Sequence, residues 1–190
     1  VVVDDADAVK VLMEAGDDVN ECTRGGRNAL GVAGRLGREA CLRVMHDAGV
    51  DMSTADTEGR SAVLTAAFNG HEGCLRALHG FGCDMGKPDK NGRTPAYIAS
   101  QKGHEGCLRL LHGFGCDMGQ PTNNGATPAY IAAENGHEGC LRLLHGFDCD
   151  MGQPNKSGAS PALVASKNGH EGCLDFLLQC RVPALAECGF

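Results

Sequence analysis

His104, Cys107, His112 and Cys116 follow one another as His-x2-Cys-x4-His-x3-Cys, a set of nitrogen and sulfur donors of the kind that zinc takes. On a single helix each residue turns the side chain by about 100°, so Cys107 and His112 point about 140° apart and cannot face one ion. Glu105 after His104 suggests the metalloprotease pattern His-Glu-x-x-His, but Leu108 holds the place of the second histidine, as Leu75 and Leu141 do in two similar segments. A zinc site is therefore not expected. No glycine-rich phosphate loop, carboxylate pair or Ser/His/Asp set stands out, and neither a catalytic role nor a cofactor is expected.

The chain holds 11 cysteines, and their spacing says more than their number. Cys41, Cys74, Cys107, Cys140 and Cys173 form a column at intervals of 33 residues. Cys83, Cys116 and Cys149 form a second column, with Val50 before it and Val182 after it. Exchange with valine marks a thiol used as a small buried hydrophobe. Equivalent positions in stacked units sit roughly 8–10 Å apart, beyond the ~7 Å reach of a disulfide. Reduced thiols are expected, which favours an intracellular setting, cytoplasmic or organellar.

The same interval governs the rest of the sequence. His71 to Arg76, His104 to Arg109 and His137 to Arg142 are identical, and a fourth copy ending in Asp runs from His170 to Asp175, each offset by 33 residues. In that register the units are 23–55, 56–88, 89–121, 122–154 and a divergent 155–190, with residues 1–22 as the back half of a unit before them. All are expected to form a single domain. The chain opens with valine inside a unit, so upstream sequence is expected. Units 89–121 and 122–154 agree at 26 of 33 positions.

Within a unit, Asn91-Gly92 signals a turn, Thr94-Pro95 opens a helix with a capping hydroxyl and a proline at its first position, and Gly103 closes it. His104 to His112 then places Cys107, Leu108, Leu110 and Leu111 on one helical face before Gly113 and Gly115. Internal glycines such as Gly106 cost about 1 kcal/mol each in an exposed helix, so neither short helix stands alone and stacking must stabilise both. Phe81, Phe114 and Phe147 align at the ends of successive second helices, where packing between units is expected, and Met52, Met85, Met118 and Met151 align as core filler.

Asn91-Gly92-Arg93-Thr94-Pro95, Ala99, Gly103-His104, Leu110-Leu111 and Gly115-Cys116-Asp117-Met118 together resemble the ankyrin repeat. The resemblance covers essentially the whole chain. It implies an all-α ankyrin-repeat solenoid, each 33-residue unit a β-turn plus two antiparallel helices, and binding of proteins through hairpin tips and a concave helix face. The family histidine of Thr-Pro-Leu-His is Tyr97 and Tyr130 here, and Gly31, Leu64 and Leu163 elsewhere, so the usual Thr–His hydrogen bond is missing. Unit 23–55 has Asn28-Ala29 in place of Thr-Pro, and Arg181-Val182-Pro183-Ala184-Leu185 replaces the usual ending of the last unit.

Composition agrees. With 4% aromatic residues and 28 glycines the chain lacks material for one large core but suits a thin repeated one. A net charge of −7 argues against nucleic acid as the main ligand, and the absence of tryptophan weakens base stacking. No run of apolar residues is long enough to span a membrane, and Asp4 and Asp5 follow Val1 to Val3, so neither direct membrane insertion nor a signal peptide is expected.

The two near-identical units differ at Asp89/Thr122, Lys90/Asn123, Arg93/Ala126, Ser100/Ala133, Gln101/Glu134, Lys102/Asn135 and Gly115/Asp148. Six of these seven differences fall on the hairpin tip or the end of the first helix, where either free surface drift or adaptation to a ligand would put them. Across the units, Arg24, Arg27, Arg35, Arg60, Lys90, Arg93, Lys102, Lys156 and Lys167 occupy such positions, against the acids Glu58 and Glu134. Nine bases and two acids leave a surplus of seven in an otherwise acidic chain. The nine bases and Glu134, with Gln101 and Asn123 from the variable positions, form the expected contact surface for a protein partner that presents acidic groups. The leading function is a non-enzymatic interaction scaffold. The alternatives are a constitutive structural subunit of a larger assembly and the regulatory module of an enzyme whose catalytic domain lies elsewhere.

Overall fold

The computed structural model describes residues 28–181, which contain ten helices in five consecutive pairs. They are α1 (Ala29–Leu36) and α2 (Glu39–Asp47), α3 (Ala62–Asn69) and α4 (Glu72–Gly80), α5 (Pro95–Lys102) and α6 (Glu105–Gly113), α7 (Pro128–Glu134) and α8 (Glu138–Gly146), and α9 (Pro161–Asn168) and α10 (Glu171–Arg181). Among the described residues, β structure is limited to a single bridge between Ala55 and Ser61.

Each first helix begins on a side chain that accepts a hydrogen bond from the backbone N–H three residues on: Asn28 from Gly31, Ser61 from Leu64, Thr94 from Tyr97, Thr127 from Tyr130 and Ser160 from Leu163. Such a cap satisfies one of the orphan donors at a helix start. Asn28 thus does the work of the threonine it replaces, and the change of histidine to Tyr97 leaves the cap intact. The second helices α2, α4, α6 and α8 open without a side-chain cap, and all five second helices carry a glutamate in the first turn, which suits the helix dipole.

First helices pack on first helices of the neighbouring units, and second helices on second helices. The shared core repeats by column. Leu42, Leu75, Leu108 and Leu141 are fully buried, as are Ala66, Ala99, Ala132 and Ala165 between the first helices. Burying one leucine contributes about 1.5–3 kcal/mol, so the stack gains per unit what an isolated pair could not. The methionine column is buried as expected. The first helices approach closely at Gly34, where an added Cβ would lie 2.6 Å from the Ala62 carbonyl oxygen.

A histidine ties each unit to the one before. Nε2 of His71, His104, His137 and His170 lies 3.0–3.1 Å from the carbonyl oxygens of Arg35, Phe68, Gln101 and Glu134, respectively. Facing a carbonyl, that nitrogen carries the proton and donates. The preceding glycine makes room: Gly103 has φ +75°, and a Cβ there would meet His137 Nδ1 at 2.8 Å. Aromatic contacts form a second tie. Phe81 stacks on His46 with ring centroids 4.1 Å apart, Phe147 stacks on His112 at 3.9 Å, and Phe114 tilts over His79 at 4.0 Å. The phenylalanine stripe therefore packs between units.

Candidate protein-binding surface

The hairpin tips lie side by side and are joined through the backbone. Lys90 N–H donates to Glu58 O at 3.2 Å, Asn123 to Asn91 O at 3.0 Å and Lys156 to Asn124 O at 2.9 Å. Asn123 also donates its side-chain amide to Lys90 O at 2.9 Å. Tips and first helices share one face: Arg35 on α1, Arg60 and Arg93 on two tips, and Leu64 and Phe68 on α3 line a common hollow of about 270 Å³.

The basic residues of this face fall into two sets. Arg60 and Arg93 are held inside their own hairpins. Arg93 Nε donates to Asp89 Oδ2 at 2.7 Å, and Arg60 Nε donates to Asp56 Oδ2 at the same distance. The second oxygen of each aspartate accepts from backbone N–H groups across the turn, those of Asn91 and Arg93 for Asp89 and of Glu58 and Arg60 for Asp56. Burial pushes the pKa of Asp56 up, yet the hydrogen bonds from Arg60 and Glu58 and the Arg60 charge outweigh it and leave the carboxyl below its ordinary value of 3.8. In the next units Thr122 Oγ1 accepts from Ala126 N–H, and Asn155 Oδ1 accepts from Ser157 and Ala159 N–H. Each described unit thus closes its turn on an acceptor at one place, aspartate, threonine or asparagine, and among the described residues arginine stands four positions on where that acceptor is aspartate.

This pairing reduces the expected surplus of charge, because Asp56 and Asp89 at the start of the hairpins offset Arg60 and Arg93. Among the described residues the tip and helix-end positions hold seven bases and four acids. The differences Asp89/Thr122 and Arg93/Ala126 are one coupled change inside a hairpin, so hairpin closure accounts for them without adaptation to a ligand. Ser100 is fully buried, so its replacement by Ala133 is not a surface change either.

The second set comprises Arg35, Lys90, Lys102, Lys156 and Lys167. All five are exposed, and none makes an ion pair among the described residues. Lys102 Nζ lies 4.4 Å from the centroid of the Phe68 ring, a cation–π contact that fixes the ammonium over the first-helix face. Gln101 and Glu134 are half-buried, and their carbonyls receive the histidine ties; Glu134 O accepts from Asn168 as well. Arg24 and Arg27 lie outside the described residues.

On the other face the arginines are neutralised. Arg43, Arg76, Arg109 and Arg142 on the second helices each pair with a glutamate one turn earlier, Glu39, Glu72, Glu105 and Glu138, at 2.5–3.0 Å. Those carboxylates also lie over the glycines of the next unit, so a Cβ on Gly106 would collide with the Glu72 carboxylate. This gives the helix-weakening glycines a physical reason.

The first cysteine column is buried as expected. The second column is not fully so: Cys83, Cys116 and Cys149 are half-buried on the margin of the core. Burial pushes the thiols up, to about 11 for Cys107, helped by Glu72, and to about 12 for Cys140, helped by Glu105. Cys116 and Cys149 reach about 11 for the same first cause, with nearby aspartates adding to it. Cys107 is sealed in the core while His112 is exposed and stacked on Phe147, so the two do not converge. Among the described residues no group of three or more His, Cys, Asp or Glu is placed to hold a metal ion.

Sequence reading missed Asp56, Asp89, Leu64 and Phe68. Phe68 had a signal, since it is the one apolar residue in a column otherwise made of Arg35, Gln101, Glu134 and Lys167.

Helix pairs joined by hairpins and stacked in register define a repeat solenoid. A family model of ankyrin repeats, three copies long, matches residues 2–81, 35–120, 63–150 and 105–186. The chain belongs to the ankyrin-repeat family. Such repeats generally mediate protein–protein interaction and are generally non-catalytic. A comparison with curated proteins finds no match. Among the described residues no helix is long and apolar enough to cross a membrane.

Proposed function

We propose that this chain is a non-enzymatic scaffold that holds a protein partner with an acidic surface against its hairpin tips and first helices. One observation carries the reading. Five cations of that face, Arg35, Lys90, Lys102, Lys156 and Lys167, make no ion pair among the described residues, while Arg60 and Arg93 pair inside their hairpins and the second-helix arginines Arg43, Arg76, Arg109 and Arg142 pair with glutamates. An unpaired cation keeps its field for a partner, and that field steers association and sets its dependence on salt.

Charge reversal tests it. Lys90, Lys102 and Lys156 changed together to Glu should slow association with a copurifying partner and flatten its salt dependence. Arg76, Arg109 and Arg142 changed to Glu, an equal change in charge, should leave both near wild type. Exposed helix pairs of this kind are worth only about 0.3–0.5 kcal/mol each, so the control should stay folded. Equal losses from both sets would mean non-specific attraction. Arg60 and Arg93 are left alone, because reversing either would strand a buried aspartate.

A further inference from the structure

The hollow of about 270 Å³ between the first three units is not explained by charge alone. Its lining combines the apolar residues Leu64, Phe68 and Ile98 with Arg35, Arg60 and Arg93 and with the aspartates Asp56 and Asp89, three bases against two acids. Arg60 and Arg93 are held by those aspartates, and their side chains remain 38% and 33% exposed. Arg35 has no ion pair among the described residues. Phe68 is 44% exposed, in a position where the other units carry Arg35, Gln101, Glu134 or Lys167. An exposed phenyl ring under a lysine and beside three arginines is poorly placed for water and well placed for a partner group that is apolar on one side and anionic on the other. The volume lies just under the roughly 300–1,000 Å³ of small-molecule sites, which suits one or two side chains of a bound segment better than a cofactor.

We infer that this hollow is a specificity pocket for a linear segment of the partner in which an apolar side chain sits next to a carboxylate. The apolar side chain rests on Phe68 and Leu64, and the carboxylate meets Arg35, with Arg60 and Arg93 as further donors. The fixed guanidiniums lose little freedom on binding, and a planar fork suits a carboxylate better than a lysine would. The inference rests on the acidic-partner reading and narrows it from a charge to a motif.

A display library of random linear peptides panned against the whole chain tests it. Enriched sequences should place Phe, Leu, Ile or Met beside Asp or Glu. Their binding should fall by about tenfold or more, the scale of one lost anchor, on Phe68→Ser and on Arg35→Glu. Both residues are exposed, so the variants should keep the wild-type melting transition. Acidic sequences without an apolar neighbour, or binding indifferent to Phe68→Ser, would overturn the pocket and leave the acidic partner standing. Enrichment of sequences that are not acidic would overturn both. No enrichment at all would overturn the pocket.

Discussion

Arg93 Nη2 lies 2.6 Å from a carboxylate oxygen of Asp89, whose side chain is only 1% exposed. This contact turns what reads as a basic surface residue into a fastening of its own hairpin. It follows that Arg93→Ala should destabilise the protein by about 1–3 kcal/mol, the cost of leaving a buried carboxylate short of a donor. Asp89→Thr together with Arg93→Ala, which copies Thr122 and Ala126 of the next unit, should recover most of that loss. Urea unfolding of the two variants decides it; equal losses would mean that the pair does not act as a unit.

The neighbouring hairpin carries a pH dependence. Because the folded pKa of Asp56 lies below its ordinary value of 3.8, its contribution is complete above that value and is lost as pH falls through the folded pKa. Asp56→Asn should fold, since Asn155 fills the same role. Between pH 7 and the acid range its unfolding midpoint in urea should fall less steeply than that of wild type. Parallel curves would contradict the assignment.

Two glycines should answer to alanine in opposite ways. Gly113 ends α6 with open space where a Cβ would go and no positive φ, so Gly113→Ala should stabilise by up to about 1 kcal/mol. Gly103→Ala forces a left-handed backbone on a residue with a Cβ and drives that Cβ into His137, so it should destabilise by more than that. Thermal melts of both variants are sufficient, and a shift of the same sign in each would count against the packing described.

Thiol chemistry should separate the two cysteine columns. Under native conditions Cys74, Cys107, Cys140 and Cys173 should resist alkylation until the protein unfolds. Cys83, Cys116 and Cys149 should react first but slowly, since little thiolate exists at neutral pH when burial holds the thiol pKa up. Peptide mapping of labelled sites reads the order directly, and rapid labelling of Cys107 would contradict the core.

These outcomes mark how far the sequence could be read. The period, the capping hydroxyls and the core columns were legible because each rests on a local rule: a turn glycine, a cap, an apolar face. The histidine ties were not, because a bond from His104 to the Phe68 carbonyl depends on how two units stack. The Asp89–Arg93 fastening lay within reach, since Asp and Arg occur together in two hairpins and vanish together in the next. The pocket floor was hidden: Leu64 and Phe68 read as ordinary helix residues until the neighbouring tips are placed beside them.

The central claim is that the partner lies on the tips and first helices and meets them with acidic groups. Photo-cross-linking residues placed singly at Lys90, Lys102 and Lys156, and as controls at Arg76, Arg109 and Arg142, test it most directly. Adducts should form from the first set, and the captured peptides should be rich in Asp and Glu. Adducts from the second set alone, or captured peptides with no acidic excess, would contradict it.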